Sequence, residues 1–227
     1  TPGSAYSLTK DGELRWQYQM DVGTSVNTPS IDKNEVVYFS TCKAMSPTNR
    51  TCISGELLAF SSQGSLLWST SFDGNSGKSA PPIIVEEKDL IYLTNGTLFV
   101  FSRDGALLWK KEMNVATPPI ISGNRLFFSD GYRWIVADEQ GNTLFESEQL
   151  EVGTYLGGDG FDFSVMDQSG NHYVSQYDFL TALSWQGTKL WSFSPGTSRS
   201  ITSGIIIDND GVIYFGTENA EVFALEP

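Results

Sequence analysis

Few residues in this chain have the type and spacing for bond-making chemistry. His172 is the only histidine in 227 residues. It occupies a strand-like position held elsewhere by Ile91 and Ile213, and a sole histidine in a strand is more often packed or solvated than catalytic. No Ser-His-Asp set assembles around it. One histidine and two cysteines in a loop do not make a zinc site either. Asp208-Asn209-Asp210-Gly211 opens like a calcium loop but lacks the later ligands and distal glutamate of an EF-hand, so it reads as a hairpin turn. Asp73-Gly-Asn-Ser-Gly-Lys78 shares only its Gly-Lys ending with a phosphate loop. Cys42 and Cys52 flank the insertion KAMSPTNRT. They are expected to form a disulfide, in preference to free thiols or a metal pair, which favours an oxidising compartment. Asn49-Arg-Thr51 and Asn95-Gly-Thr97 match the glycosylation sequon, a match that matters only in a eukaryotic source.

The elements that would position these residues come from a repeat. Gly55–Trp68 reads GELLAFSSQGSLLW, and Gly96–Trp109 reads GTLFVFSRDGALLW. The phrase occurs first at Ser4–Trp16, again at Trp134–Phe145 and Leu180–Trp191, and its opening half returns at Val222–Leu225. The turn glycines Gly12, Gly64, Gly105, Gly141 and Gly187 are spaced by 52, 41, 36 and 46 residues, the first enlarged by the cysteine insertion. A period near 40 residues indicates a solenoid or a propeller. Each phrase is a short apolar run, a turn where glycine supplies positive φ, and a second short run. Trp16, Trp68, Trp109, Phe145 and Trp191 end the phrases. A large ring at the same point of every repeat suggests a wedge between neighbouring units. Trp134 and Trp185 fall outside that place and, if exposed, are candidates for partner contact.

Between the phrases lies a second pair of strands. Thr28–Ile31 leads to Val36–Ser40, Pro81–Val85 to Leu90–Leu93, and Pro118–Ile121 to Leu126–Ser129; Phe163–Met166 leads to Tyr173–Ser175, and Gly204–Ile207 to Val212–Phe215. Proline at a strand's first residue is tolerated because that position need not donate to a ladder. Four strands per repeat define a propeller blade. The expectation is an all-β chain, a β-propeller of four-stranded antiparallel blades with about five blades, in one domain spanning 1–227. The strands number twenty-one, one more than five blades use. The strand of Trp16 could complete the last blade beside Val222–Leu225, or the chain could be a piece of a larger ring. The count leaves ring closure open. Gly153, Gly157, Gly158 and Gly160 mark the least regular stretch, an ordinary loop on one face or a ligand-contacting loop near the axis.

The composite P-x-I-D-x-D-G-x-I-Y-x-G-T followed by A-L and D/Q-G-x-L-L-W, best seen from Ile205 to Leu225, resembles the pyrroloquinoline-quinone-like β-propeller repeat. The resemblance covers essentially the whole chain. It implies a fold shared by quinoprotein alcohol dehydrogenases, by the propeller lipoprotein of the outer-membrane assembly machinery and by many secreted proteins. In the enzymes a threonine usually precedes the turn glycine; here that place holds Asp11, Gln63, Asp104, Gln140 and Gln186. The enzymes also imply pyrroloquinoline quinone (PQQ) with calcium, a catalytic aspartate, a vicinal cysteine pair and an eight-bladed ring. This chain has no adjacent cysteines and is much shorter.

Composition narrows the function. Lysine plus arginine number 14 against 27 acidic residues, a net charge of −13. That argues against nucleic acid, whose binding requires phosphate neutralisation, and against an anionic membrane surface. The acidity itself reads as a solvated surface. No apolar stretch is long enough to span a bilayer. The chain opens at Thr1 in mid-repeat without a signal peptide, which reads as trimming from a longer protein. The expectation is a non-catalytic scaffold or protein-interaction module, extracytoplasmic (periplasmic or secreted), with a protein partner and no cofactor, metal or catalytic residue. The alternatives are a PQQ-dependent dehydrogenase, or a fragment of one, and a carbohydrate-binding propeller.

Overall fold

The computed structural model describes residues 3–21, 25–45, 52–77, 81–113, 118–130, 132–148, 163–176, 178–196 and 200–226. The chain divides into two compact units, Thr1–Asn114 and Val115–Pro227. Both are built of antiparallel sheets in the blade pattern of a β-propeller.

In the first unit, β1 (Ser4–Leu8) pairs with β2 (Leu14–Gln19) in a two-stranded sheet. A larger sheet follows. It contains β3 (Ser25–Val26), β4 (Ser30–Ile31), β5 (Val37–Cys42), β6 (Ala44–Met45), β7 (Cys52–Phe60) and β8 (Leu66–Gly77). β3 and β4 are two pieces of one inner strand, paired with opposite ends of β5. The third sheet runs β9 (Ile83–Val85), β10 (Leu90–Thr94), β11 (Thr97–Ser102), β12 (Leu107–Glu112). A single 3-10 turn, Glu86–Lys88, joins β9 to β10 and closes with Asp89 at φ 58°.

The second unit holds two four-stranded sheets and one of three strands. The first is β13 (Ile120–Ser122), β14 (Arg125–Ser129), β15 (Trp134–Asp138) and β16 (Thr143–Glu146). The next is β17 (Ser164–Met166), β18 (His172–Gln176), β19 (Phe179–Leu183) and β20 (Lys189–Phe193). The last is β21 (Ile206–Ile207), β22 (Ile213–Gly216) and β23 (Val222–Leu225). The four-stranded antiparallel blades expected from the repeat are thus present, and the strand of Trp16 is paired with that of Tyr6.

The repeated phrase is one hairpin with one geometry. Gly12, Gly64, Gly105, Gly141 and Gly187 all have φ between 73° and 89°. Each donates its N–H to the residue three before it, which in turn donates to the residue after the glycine. This is a type I turn closed by a left-handed glycine, with a one-residue bulge beside it. The bulge falls at Ser7/Leu8, Ala59/Phe60, Val100/Phe101, Val136/Ala137 and Ala182/Leu183.

The core explains why the inner strands read as unbroken apolar runs. Successive residues of a strand face opposite sides of its sheet. In β7, Leu57 and Ala59 join Tyr38, Phe72, Ile91, Leu93, Phe99 and Phe101 in one cluster. Leu58 and Phe60 join Ala5, Met20 and Phe39 on the other side. A sheet covered on both faces has no position for alternating polar residues, so LLAF is continuous. Each of the buried leucine, isoleucine, methionine and phenylalanine side chains stabilises the fold by roughly 1.5–3 kcal/mol. In the second unit Phe127, Trp134, Val136, Val174 and Leu183 form one cluster, and Leu180, Ile201, Ile205, Ile213 and Phe215 another.

Candidate functional site

The outer strands carry the repeat aromatics, and three of these rings lie on the next blade's turn. A Cβ placed on Gly64 would sit 2.5 Å from Cγ of Trp16, and one on Gly105 would sit 2.6 Å from Cε3 of Trp68. Trp16 Nε1 donates to the Ser62 carbonyl at 3.2 Å, and Trp68 Nε1 donates to the Arg103 carbonyl at 3.1 Å. Both acceptors stand two residues before the turn glycine. Phe145 lies against Gly187 in the same way, 2.6 Å from a Cβ built there, but has no N–H to donate. Trp109 is half-buried opposite Val100. Trp191 is 39 % exposed and tilts against Tyr173, centroids 5.8 Å apart.

The two tryptophans outside the repeat place part company. Trp134 is fully buried in the core of its unit, so it is not a partner contact. It opens β15, and its ring points inward with Val136, two residues along on the same face. Trp185 is 47 % exposed in the β19–β20 turn, with the Arg125 guanidinium 5.0 Å from its ring centroid.

Sequence reasoning missed a charged clamp in the first unit. Arg103, in the β11–β12 turn, bonds Asp32, donates Nε to the Tyr38 hydroxyl at 3.1 Å, and donates Nη1 to Glu86 Oε2 at 3.1 Å. The Asp32 side chain is 1 % exposed and also accepts the Tyr38 hydroxyl at 3.0 Å. Burial pushes the Tyr38 phenol up to about 12. The Lys33 backbone N–H, with Arg103 beside it, holds the Glu86 carboxyl below its usual range. Arg103 aligns with Lys10, Ser62, Glu139 and Trp185 in the other phrases, so nothing in the repeat marks it. The clamp's partners lie 71 and 17 residues away in sequence. Its groups hold one another in a connected set of hydrogen bonds and ion pairs.

His172 opens β18 and sits opposite Leu183 of β19. It is fully buried between the rings of Phe127 and Trp134, with centroids at 4.3 and 5.2 Å. Neither ring nitrogen has a hydrogen-bond partner among the described residues. Burial pushes the imidazole down to about 4. The neighbouring Asp167 carboxylate is engaged by the Ser169 and Asn171 N–H groups, each at 2.8 Å, and by the Tyr173 hydroxyl at 3.0 Å. Asp208 repeats this arrangement with Asp210, Val212 and Tyr214, which makes the acidic tetrapeptide a hairpin turn. Among the described residues no cluster of three His, Cys, Asp or Glu could hold a metal. Asn95, the second sequon asparagine, is fully buried and so is no glycan acceptor. Asn49, Lys78 and the glycine-rich stretch around Gly153, Gly157, Gly158 and Gly160 lie outside the described residues.

The feature that departs from the repeat is in the sheet of β3–β8. Cys42 and Cys52 are joined by a disulfide with Cα atoms 5.6 Å apart, as expected from the sequence. The bond ties the end of β5 to the start of β7. β6 folds back onto β7, and β8 follows β7 out to the pair Cys52–Gly77, making a ribbon longer than any other hairpin here. Gly55 permits this, because a Cβ there would meet the Thr41 carbonyl and come within 2.8 Å of the Phe72 ring. At the ribbon's base lies a small, open cleft lined by Tyr18, Met20, Asp21, Thr41, Lys43 and Glu56, among others. Lys43 Nζ bridges Glu56 at 2.6 Å and Asp21 at 3.9 Å across its mouth. The Thr41 hydroxyl accepts the Glu56 N–H and donates to the Glu56 carbonyl. The result is an ion-paired, partly exposed surface.

Residues 53–158 match a family model described as outer membrane protein assembly factor BamB, a PQQ-like repeat. No curated protein matches the chain. Among solved structures, one similar to it is a protein of unknown function from Bacteroides caccae, 14 % identical over 84 % of this chain and 74 % of that one, TM-score 0.52. Another is BBS1N in complex with ARL6DN, 9 % identical over 100 % of this chain and 73 % of that one, TM-score 0.69. At these identities the likeness concerns fold.

Proposed function

We propose, from the premise that this chain is a propeller of the PQQ-like repeat family, that it is a non-catalytic scaffold that binds a protein partner outside the cytoplasm. The observation that carries this reading is the disulfide-pinned ribbon of β6–β8 with the Lys43–Glu56 cleft at its base. Among the described residues it departs from the four-stranded pattern of the β9–β12, β13–β16 and β17–β20 sheets, and loops or ribbons on a rigid scaffold are where binding resides. The match to an outer membrane protein assembly factor supports an extracytoplasmic setting, as does the disulfide. The BBS1N structure, a complex with ARL6DN, supports a protein as partner.

The test is thermal unfolding with and without PQQ plus calcium. A ligand at a hundred times its dissociation constant stabilises a fold by about 2.7 kcal/mol, which shifts the midpoint by about 5–11 °C in a domain of this size. The scaffold reading expects no shift and no dye reduction with alcohols or sugars. A shift that needs both additives, with turnover, overturns it in favour of a dehydrogenase.

A further inference from the structure

The outer strands of the blades differ in how they protect their open edges. An edge strand offers unpaired N–H and C=O groups, and proteins blunt it with short length, lysine and other charges, or proline. β2 has 6 residues and carries Arg15; β12 has 6 and carries Lys110, Lys111 and Glu112. β16 has 4 and carries Glu146, and β20 has 5 and carries Lys189. β8 has 12 residues, LLWSTSFDGNSG, with no lysine, arginine or proline and a single charge at Asp73. Among the described residues it pairs with β7 alone.

The side chains of β8 are sorted by face. Trp68 and Thr70 bond the Arg103 and Gly105 carbonyls of the next blade, and Phe72 is buried. Leu67, Ser69, Ser71 and Asp73 are exposed. From Trp68 to Asp73 the ladder with β7 runs without a bulge, opposite Ala59 down to Ser54. The strand is therefore packed on one side, exposed and mainly polar beyond Leu67 on the other, and carries no lysine, arginine or proline along its outer edge.

We propose that the outer edge of β8 is a strand-addition site, taking an extended, lysine- or arginine-bearing segment of a partner protein as one more strand. Strand addition supplies affinity through main-chain hydrogen bonds, and side chains at alternate positions supply specificity. The cationic character follows from charge. The chain carries −13, and the ribbon end of β8 places Asp73 across from Ser54, one residue beyond the Gly55–Phe72 pair, with Glu56 and the exposed Asp21 nearby sharing the one ammonium of Lys43, so that the local balance of these four groups remains negative. Two copies of the chain would instead bring −13 against −13. The proposal rests on the scaffold reading and names the chemistry of its partner.

The probe is a synthetic ten-residue peptide alternating threonine and valine, with lysine at every fourth position, used on the intact chain. Two controls replace its lysines by glutamate or place proline at its centre. Binding is followed by fluorescence anisotropy and amide hydrogen exchange. The lysine peptide is expected to bind at least tenfold more tightly than either control and to slow exchange across residues 67–73. Ser71→Pro and Ser69→Lys are expected to weaken it at least tenfold; should the proline variant unfold, Ser69→Lys alone decides. Equal binding of the controls, no protection of 67–73, or protection at another strand overturns the proposal, as does a concentration-dependent dimer that protects 67–73 without peptide. Protection confined to the Tyr18–Glu56 cleft overturns the edge site while leaving the scaffold reading in place. Stabilisation by PQQ plus calcium overturns the scaffold reading itself.

Discussion

The Trp68 ring lies against Gly105, with its Nε1 donating to the Arg103 carbonyl at 3.1 Å and its Cε3 2.6 Å from where a Gly105 side chain would begin. Gly105→Ala therefore meets two penalties, the left-handed φ of 89° and the indole. Together they should destabilise the chain by about 2–4 kcal/mol. Gly12→Ala has the same backbone problem at φ 86° but nothing within 4 Å, so it should cost only about 1–2 kcal/mol. Urea unfolding of the two variants isolates the docking contribution. Equal losses would mean that the ring contact contributes nothing.

Arg103→Leu leaves the Asp32 carboxylate buried beside Tyr38 with its cation gone. Breaking one side of a buried ion pair costs roughly 3–5 kcal/mol. Arg103→Leu combined with Asp32→Asn should recover part of that loss, because the uncompensated charge is gone. Denaturant midpoints of the wild type, the single variants and the double variant decide it. The Tyr38 phenol, raised to about 12 by burial, should also titrate above the ordinary tyrosine range in absorbance.

His172 should make the second unit acid-sensitive. Its folded value of about 4 lies below the ordinary value of 6.5, so between those pH values the unfolded chain binds a proton that the folded chain does not. Stability attributable to this residue is full above pH 6.5 and falls as pH drops toward 4, by roughly 3 kcal/mol in all. His172→Leu, with the side chain that Leu126 provides at the equivalent place, should flatten the profile between pH 6.5 and 4. An unchanged slope in urea unfolding across that window would place the acid sensitivity elsewhere.

Reducing Cys42–Cys52 opens a loop with a sequence separation of 10. The chain-entropy treatment gives a loss of roughly 2–3 kcal/mol. The loss should register in the first unit, as faster amide exchange in β6 and the first residues of β7 before any change in β10 or β11. Simultaneous loosening of all four strands would show that the ribbon and the blades unfold as one.

The blades were legible because their signals are local. A glycine after Asp or Gln, flanked by short apolar runs, specifies its turn within a few residues, and five copies reinforce one another. Cys42 and Cys52 were legible for the same reason. The Arg103 clamp was not, since Asp32 and Glu86 are brought to it by the packing of neighbouring blades. Trp134 looked available because it stands at a strand's first residue, yet the direction of its side chain depends on register, which the run of apolar residues around it does not reveal. The unguarded edge of β8 was visible only by comparing outer strands after their lengths were known.

The joint between blades has a further consequence. The indole reads a main-chain carbonyl and a missing methyl group, and no side chain of the turn takes part. The residue that supplies the carbonyl is therefore at liberty to diversify: it is Ser62 in one copy and Arg103 in another, and Trp185 holds the corresponding place opposite Phe145. Arg103 serves as an electrostatic clamp and Trp185 as an exposed aromatic over Arg125, both without altering the turn they sit in. Novelty in such a chain can accumulate at its seams.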